Sequence, residues 1–198
     1  MSERESIRAW RPPDAPAHEQ TGAHAFALDS IAATREPVVQ LQLDGAGAAM
    51  GAIAAGRIDA PCARVWSVIE DLENYAQQVP LVRKVTLAGD RVTVTLRFKI
   101  ALFSATFQFV ADRSVDPERS LDLRYVSGQP EQIHLRFDLI PVADGAATVL
   151  YVTCGFDIRS LGWLVKFFLK HHPEIQLGVY SGTGLALLDS IRSAAERG

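Results

Sequence analysis

The order of apolar patterns in this sequence predicts an α+β fold, an antiparallel sheet of about six to seven strands packed against one long C-terminal helix. Three observations carry that expectation. Residues 82–158 are successive runs of alternating apolar and polar side chains separated only by short turn-forming stretches, so no helix is available to connect parallel strands. A single helical repeat precedes this run at residues 61–73, and a longer one follows it at residues 175–191. The long helix can bury its apolar stripe only against the concave side of the sheet, which excludes a doubly wound parallel architecture.

The elements follow in order. Residues 1–40 are expected to form a poorly structured extension, with four prolines, two of the five histidines and one amphipathic stretch, Phe26 to Thr34. The folded domain is assigned to residues 41–198, the texture changing from Pro37 onward. VVQLQL alternates as a strand, DGAG supplies a turn, and AAMGAIAAGRI reads as a strand rich in small residues. A helix follows, with Asp59 or Ala60 as cap, Pro61 in the first turn and Val65, Ile69, Leu72 and Ala76 at helical spacing. Asn74 to Gln78 add a turn before Pro80. Strands are then expected at Val82–Leu87, Arg91–Ile100, Ala105–Ala111, Ser120–Val126, Gln132–Ile140 and Ala147–Ile158, parted by AGD, DPERS, SGQPE and PVADG. WLVKFFLKHH begins the helical C-terminus, and Pro173 opens a helix with Ile175, Leu177, Tyr180, Gly184, Leu187, Leu188 and Ile191 on one face.

Composition excludes several function classes. The 198 residues are 48% hydrophobic and 22% charged, the texture of a globular chain. A net charge of −3 gives no global positive field for nucleic acid. Cys62 and Cys154 stand far apart without metal-spaced neighbours, so neither a disulfide framework nor a metal site is expected. The N-terminus lacks an apolar signal core and the run Ala46–Gly56 is too short to span a bilayer, so the chain is read as cytoplasmic. Sixteen arginines against four lysines, with abundant alanine, fit a GC-rich bacterial gene. No cofactor is expected: GAGAAMG lacks the βαβ context and the third glycine of a dinucleotide loop.

Alternation assigns the sheet faces. Val92, Val94, Leu96, Phe98 and Ile100 share the inner side with Phe107, Phe109, Leu121, Leu123, Tyr125, Ile133, Leu135, Phe137, Leu139, Leu150, Val152, Cys154, Phe156 and Ile158. Arg97, Arg124, His134, Arg136 and Asp138 point outward, His134 as a solvated histidine. The inner face therefore has no charged residue, which suits an apolar ligand and not proton-transfer chemistry. Whether that face is packed or hollow is not written in the periodicity. Elsewhere, His171 and His172 read as a solvated helix end, Asp157 and Arg159 as a surface pair or the guard of a cavity mouth. Gly178, Gly182 and Gly184 imply a close approach to the last helix by the sheet or a ligand. Trp163, Phe167 and Phe168 beside Lys166 and Lys170 suit packing of a short helix or transient contact with a membrane surface.

Ala60-Pro61, Val65-Trp66, Asp71, Tyr75 and Pro80, in the segment GAIAAGRIDAPCARVWSVIEDLENYAQQVPLVRKV, resemble the opening of the START-like helix-grip (SRPBCC) superfamily, in its branch of polyketide cyclase/dehydrase, lipid-transport and coenzyme Q-binding proteins. The resemblance covers residues 47–198. It implies a curved sheet wrapped around the C-terminal helix and a hydrophobic cavity for a lipid, isoprenoid quinone or polyketide-like molecule. The expected wall is Phe98, Phe107, Phe109, Leu123, Tyr125, Leu135, Phe137, Val152, Phe156, Leu177 and Tyr180, around a pocket above roughly 300 Å³. Binding, with transport, of a hydrophobic small molecule is the expected function, with no catalytic residue; the alternative is an aromatase/cyclase that positions a bound polyketide. Arg97, Arg124 and Arg136 all point outward and supply no polar set for that alternative.

Overall fold

The computed structural model describes residues 28–79, 81–100 and 103–197; Pro80 and the side chain of Phe98 fall outside the described residues. The strands are β1 (Val38–Leu43), β2 (Ala49–Ile58), β3 (Val82–Ala88), β4 (Arg91–Ile100), β5 (Phe103–Asp116), β6 (Ser120–Gly128), β7 (Glu131–Val142) and β8 (Ala147–Asp157). They form one sheet in the order β1-β2-β8-β7-β6-β5-β4-β3, every neighbouring pair antiparallel. Among the described residues the sheet thus has eight strands, not six to seven: VVQLQL and AAMGAIAAGRI pair with each other, and AAMGAIAAGRI joins β8.

The helices are α1 (Leu28–Ala33), α2 (Cys62–Glu70), α3 (Tyr75–Gln78), α4 (Trp163–His171) and α5 (Ile175–Arg197). Pro61 stands at the start of α2, where its missing N–H is no loss, and no side chain caps this end. Asp59, expected as a cap, instead pairs with Arg35 and with Arg57 Nε at 2.8 Å. Arg57 also donates to the Ala32 carbonyl at 2.8 Å, tying the end of α1 to β2. α1 lies on the outer face, with Ile31 buried against Ile53, Ala55, Val149 and Tyr151. Among the described residues, helix is present at Leu28–Ala33 and strand at Val38–Leu43.

α5 crosses the inner face over β2 and β8, and the small residues of β2 let it come close. A Cβ on Gly184 would stand 3.1 Å from the Ala54 Cβ, so the sheet is what approaches the helix there. A Cβ on Gly178 or Gly182 would meet nothing within 4 Å outside the helix's own backbone. The buried face of α5 runs through Gln176, Tyr180, Gly184, Leu187, Leu188, Ile191 and Ala195. Leu177, expected on that face, is 41% exposed, because the stripe that docks passes through the preceding residue.

Candidate functional site

The concave face divides into a packed half and a hollow half. At one end, Val92, Ala111, Leu121, Phe137, Leu139, Leu150 and Val152 are buried beneath Val65, Trp66 and Ile69 of α2 and Leu188, Ile191 and Ala195 of α5. At the other end the same strands, continued by one or two residue pairs, bound a cavity of about 860 Å³. Its floor is Val94, Leu96, Ala105, Phe107, Phe109, Leu123, Ile133, Leu135, Cys154 and Phe156. Its roof is Leu72, Tyr75 and Val79 from the turn after α2, Val165, Phe168 and Leu169 from α4, and Val179, Thr183, Ala186 and Leu187 from α5. Leu81, Trp163, Phe168 and Ile175 line the cavity and are also exposed, so they mark its mouth.

Among the expected wall residues, Phe107, Phe109, Leu123, Leu135 and Phe156 are brought together around this space. Phe137 and Val152 are not part of the wall: they lie in the half plugged by α2 and α5. Tyr125 is turned aside and donates its hydroxyl to the Gly128 carbonyl at 3.0 Å. Tyr180 stands behind Phe156, their rings edge to face at 5.1 Å, its hydroxyl donating to the Phe156 carbonyl at 2.7 Å. Leu177 faces away from the cavity, and of Phe98 only the backbone position in β4 is described. The C-terminal helix roofs the cavity as expected, but through Val179, Thr183, Ala186 and Leu187, and Leu72, Tyr75, Val79 and the α4 residues join it although the expected wall names none of them. Val82 and Val85, both in the wall, break strand alternation because the β3–β4 register shifts between Val82 and Lys84.

The polar side chains in the wall are few, and their partners are internal. Tyr75 donates its hydroxyl to the Ile69 carbonyl at 3.2 Å, and burial, then the nearby Asp71 charge, pushes its pKa far up. Thr183 donates to the Val179 carbonyl at 2.7 Å and the Cys154 thiol to the Tyr180 carbonyl at 3.6 Å. Burial pushes the Cys154 pKa up to about 12. His134 contributes to the wall while its Nε2 stands 2.6 Å from Asp122 Oδ1. No Asp, Glu, Lys or Arg lines the cavity among the described residues.

The outer face differs from the sequence expectation. His134, read as solvated, is only 5% exposed, and Asp138 is 3% exposed. Charge pairing accompanies this burial: Arg136 Nε and Nη2 both reach Asp138 Oδ1, at 2.9 and 2.8 Å, and Arg124 Nε donates to Asp122 Oδ2 at 2.9 Å. Burial raises the pKa of Asp122, but the hydrogen bonds and positive charges of His134 and Arg124 outweigh it and hold the carboxyl below its ordinary value. Asp157 accepts from the Arg159 backbone N–H at 2.9 Å, capping the turn after β8. His172 Nδ1 lies 3.1 Å from Glu174 Oε1.

A family model described as "polyketide cyclase / dehydrase and lipid transport" matches residues 58–173, and the chain belongs to that family. Its fold is START-like. A START superfamily protein from Mycobacterium smegmatis superposes with a TM-score of 0.57 at 14% identity, covering 73% of this chain and 96% of the other. The Zhui aromatase/cyclase from Streptomyces sp. R1128 is similar with a TM-score of 0.55 at 19% identity, covering 82% of this chain and 94% of the other. A conserved protein from Geobacillus kaustophilus gives 0.56 at 16% identity, covering 73% and 94%. No curated protein matches in sequence. Among the described residues no helix is long and apolar enough to cross a membrane.

Proposed function

We propose that the protein binds a hydrophobic small molecule, a lipid, an isoprenoid quinone or a polyketide-like compound, inside the cavity and carries it without chemical change. One observation supports this reading most: Tyr75, Cys154 and Thr183, polar side chains in the described wall behind the mouth, have polar atoms engaged in internal hydrogen bonds, and the ring of His134, a residue that also borders the cavity, is held by Asp122. General acid–base work needs a titratable group within hydrogen-bond reach of the substrate, with a pKa near the working pH. Tyr75 and Cys154 are pushed away from that range. An apolar guest needs none of this, and about 860 Å³ falls within the size range of small-molecule sites. Ten buried methylenes contribute about 8 kcal/mol gross, which reaches micromolar affinity where little is lost to ordering the tail and desolvating its head group. The family's lipid-transport branch accords with the reading. The aromatase/cyclase alternative requires polar side chains turned to a polyketide, and the described wall offers little for them.

Organic extraction of the purified protein followed by mass spectrometry tests the proposal. An apolar compound recovered in near-stoichiometric amount, or uptake of a fluorescent fatty acid by extracted protein, is expected. Extracted protein that takes up no fatty acid, quinone or polyketide, or that converts a polyketide into a cyclised product, contradicts it.

A further inference from the structure

We propose that the outward face of α4, with the rim of the cavity mouth, is a docking surface for an anionic lipid bilayer. The inference rests on the carrier reading for its purpose, not for its geometry. Trp163 is 78% exposed and Phe167 54% exposed, so two of the largest apolar side chains of the molecule stand in water. At helical spacing these two lie on one side of α4 with Lys166, Lys170 and His171, all exposed, while Val165 and Leu169 turn inward to the cavity. Phe167 packs on the His171 ring at 4.8 Å and on Phe168 at 6.1 Å, which holds the aromatic group together without burying it.

Charge decides what this surface fits. The chain carries a net charge of −3 and only four lysines, yet two of them are on α4. No Asp or Glu occurs between Asp157 and Glu174, an interval that also holds Arg159. A local positive field around exposed Trp and Phe matches an interface where aromatic rings settle at headgroup level and lysines meet anionic lipid. The position matches as well. Trp163 and Phe168 belong at once to this face and to the mouth, beside Leu81 and Ile175. A guest leaving a bilayer held there would pass from hydrocarbon to cavity without crossing water.

Sedimentation of the whole protein with phosphatidylcholine vesicles, with and without phosphatidylglycerol, tests the proposal. Wild-type protein is expected to bind the mixed vesicles more tightly, with added salt weakening the binding. Lys166→Glu/Lys170→Glu should weaken that binding by at least about 25-fold, near fivefold for each lysine lost at the surface. Trp163→Ser/Phe167→Ser should reduce binding to both vesicle types without lowering the thermal midpoint, since both side chains are exposed. The proposal is overturned if wild-type protein stays in the supernatant, which leaves an acidic protein as the partner, if neutral vesicles bind equally well, or if the folded variants bind like wild type. Vesicle binding by protein that takes up no apolar guest keeps the docking surface and removes the carrier reading. Guest uptake with no vesicle binding does the reverse.

Discussion

Burial raises the pKa of two titratable residues, and only one of them has partners that reverse the shift. Cys154 has its thiol among apolar side chains in the cavity wall, with a pKa near 12, so almost no thiolate exists at pH 8. Thiolate is the reactive form, and in a Cys62→Ser background alkylation of Cys154 by iodoacetamide is expected to be far slower in native than in denatured protein. Equal rates would contradict its place in the wall. Asp122 is held down instead, by His134 and Arg124 against the effect of burial. Its folded pKa lies below the ordinary 3.8, so its contribution to stability is present above that pH and is lost as the pH falls through the folded value. Asp122→Asn should therefore cost about 1–3 kcal/mol near neutral pH and much less in strong acid. Urea unfolding at both pH values measures the difference, and a cost independent of pH contradicts the assignment. Nothing in the local pattern of β6 or β7 marks this pair as buried. Alternation places Asp122 and His134 on the outer face correctly, but exposure there depends on what lies over the sheet.

At the scale of elements, the strands were legible because period-two alternation and turn residues act over a few residues: β4 was expected at the bounds it has, Arg91–Ile100. β5 runs beyond its expected end at Ala111 to Asp116, since Asp112, Arg113 and Ser114 break the apolar alternation while still pairing with β6. The division of the concave face was not legible. Leu135 and Leu150 look alike in sequence, each an inner-face leucine; one borders the void and the other lies in the packed half because α2 and the C-terminal part of α5 plug only one end. This predicts unequal responses to the same deletion. Leu150→Ala should cost toward the upper end of about 2–5 kcal/mol, whereas Leu135→Ala, which only widens an existing space, should cost clearly less. Equal losses in chemical denaturation would mean that both halves are packed. The α5–β2 contact predicts a second contrast. Gly184→Val should destabilise by about 1–3 kcal/mol as its side chain meets Ala54, while Gly182→Ala should stabilise by roughly 0.5–1 kcal/mol through helix propensity. Thermal melts of the two variants check both signs.

For the whole molecule, the sequence motif around Ala60-Pro61 and Tyr75 was enough to indicate the family and the sheet-on-helix arrangement, while the cavity's position and its mouth emerge only from the assembled fold. Chain order does not reveal that Val165, Phe168 and Leu169 of α4 and Val179, Thr183, Ala186 and Leu187 of α5 roof an open space above the strands. The central claim is that this space takes an apolar tail and recognises it by length. Displacement of a fluorescent fatty acid by saturated fatty acids of increasing length, on wild type and on Leu135→Trp, tests it most directly. Each added methylene should tighten binding about fourfold until the cavity is full, at about 0.8 kcal/mol per methylene. Leu135→Trp, melting as a folded protein, should lose most uptake because the indole occupies the guest's space, and Arg97→Ala on the outer face should bind as wild type does. Affinity that does not change with chain length, or undiminished uptake by folded Leu135→Trp, would contradict the carrier account.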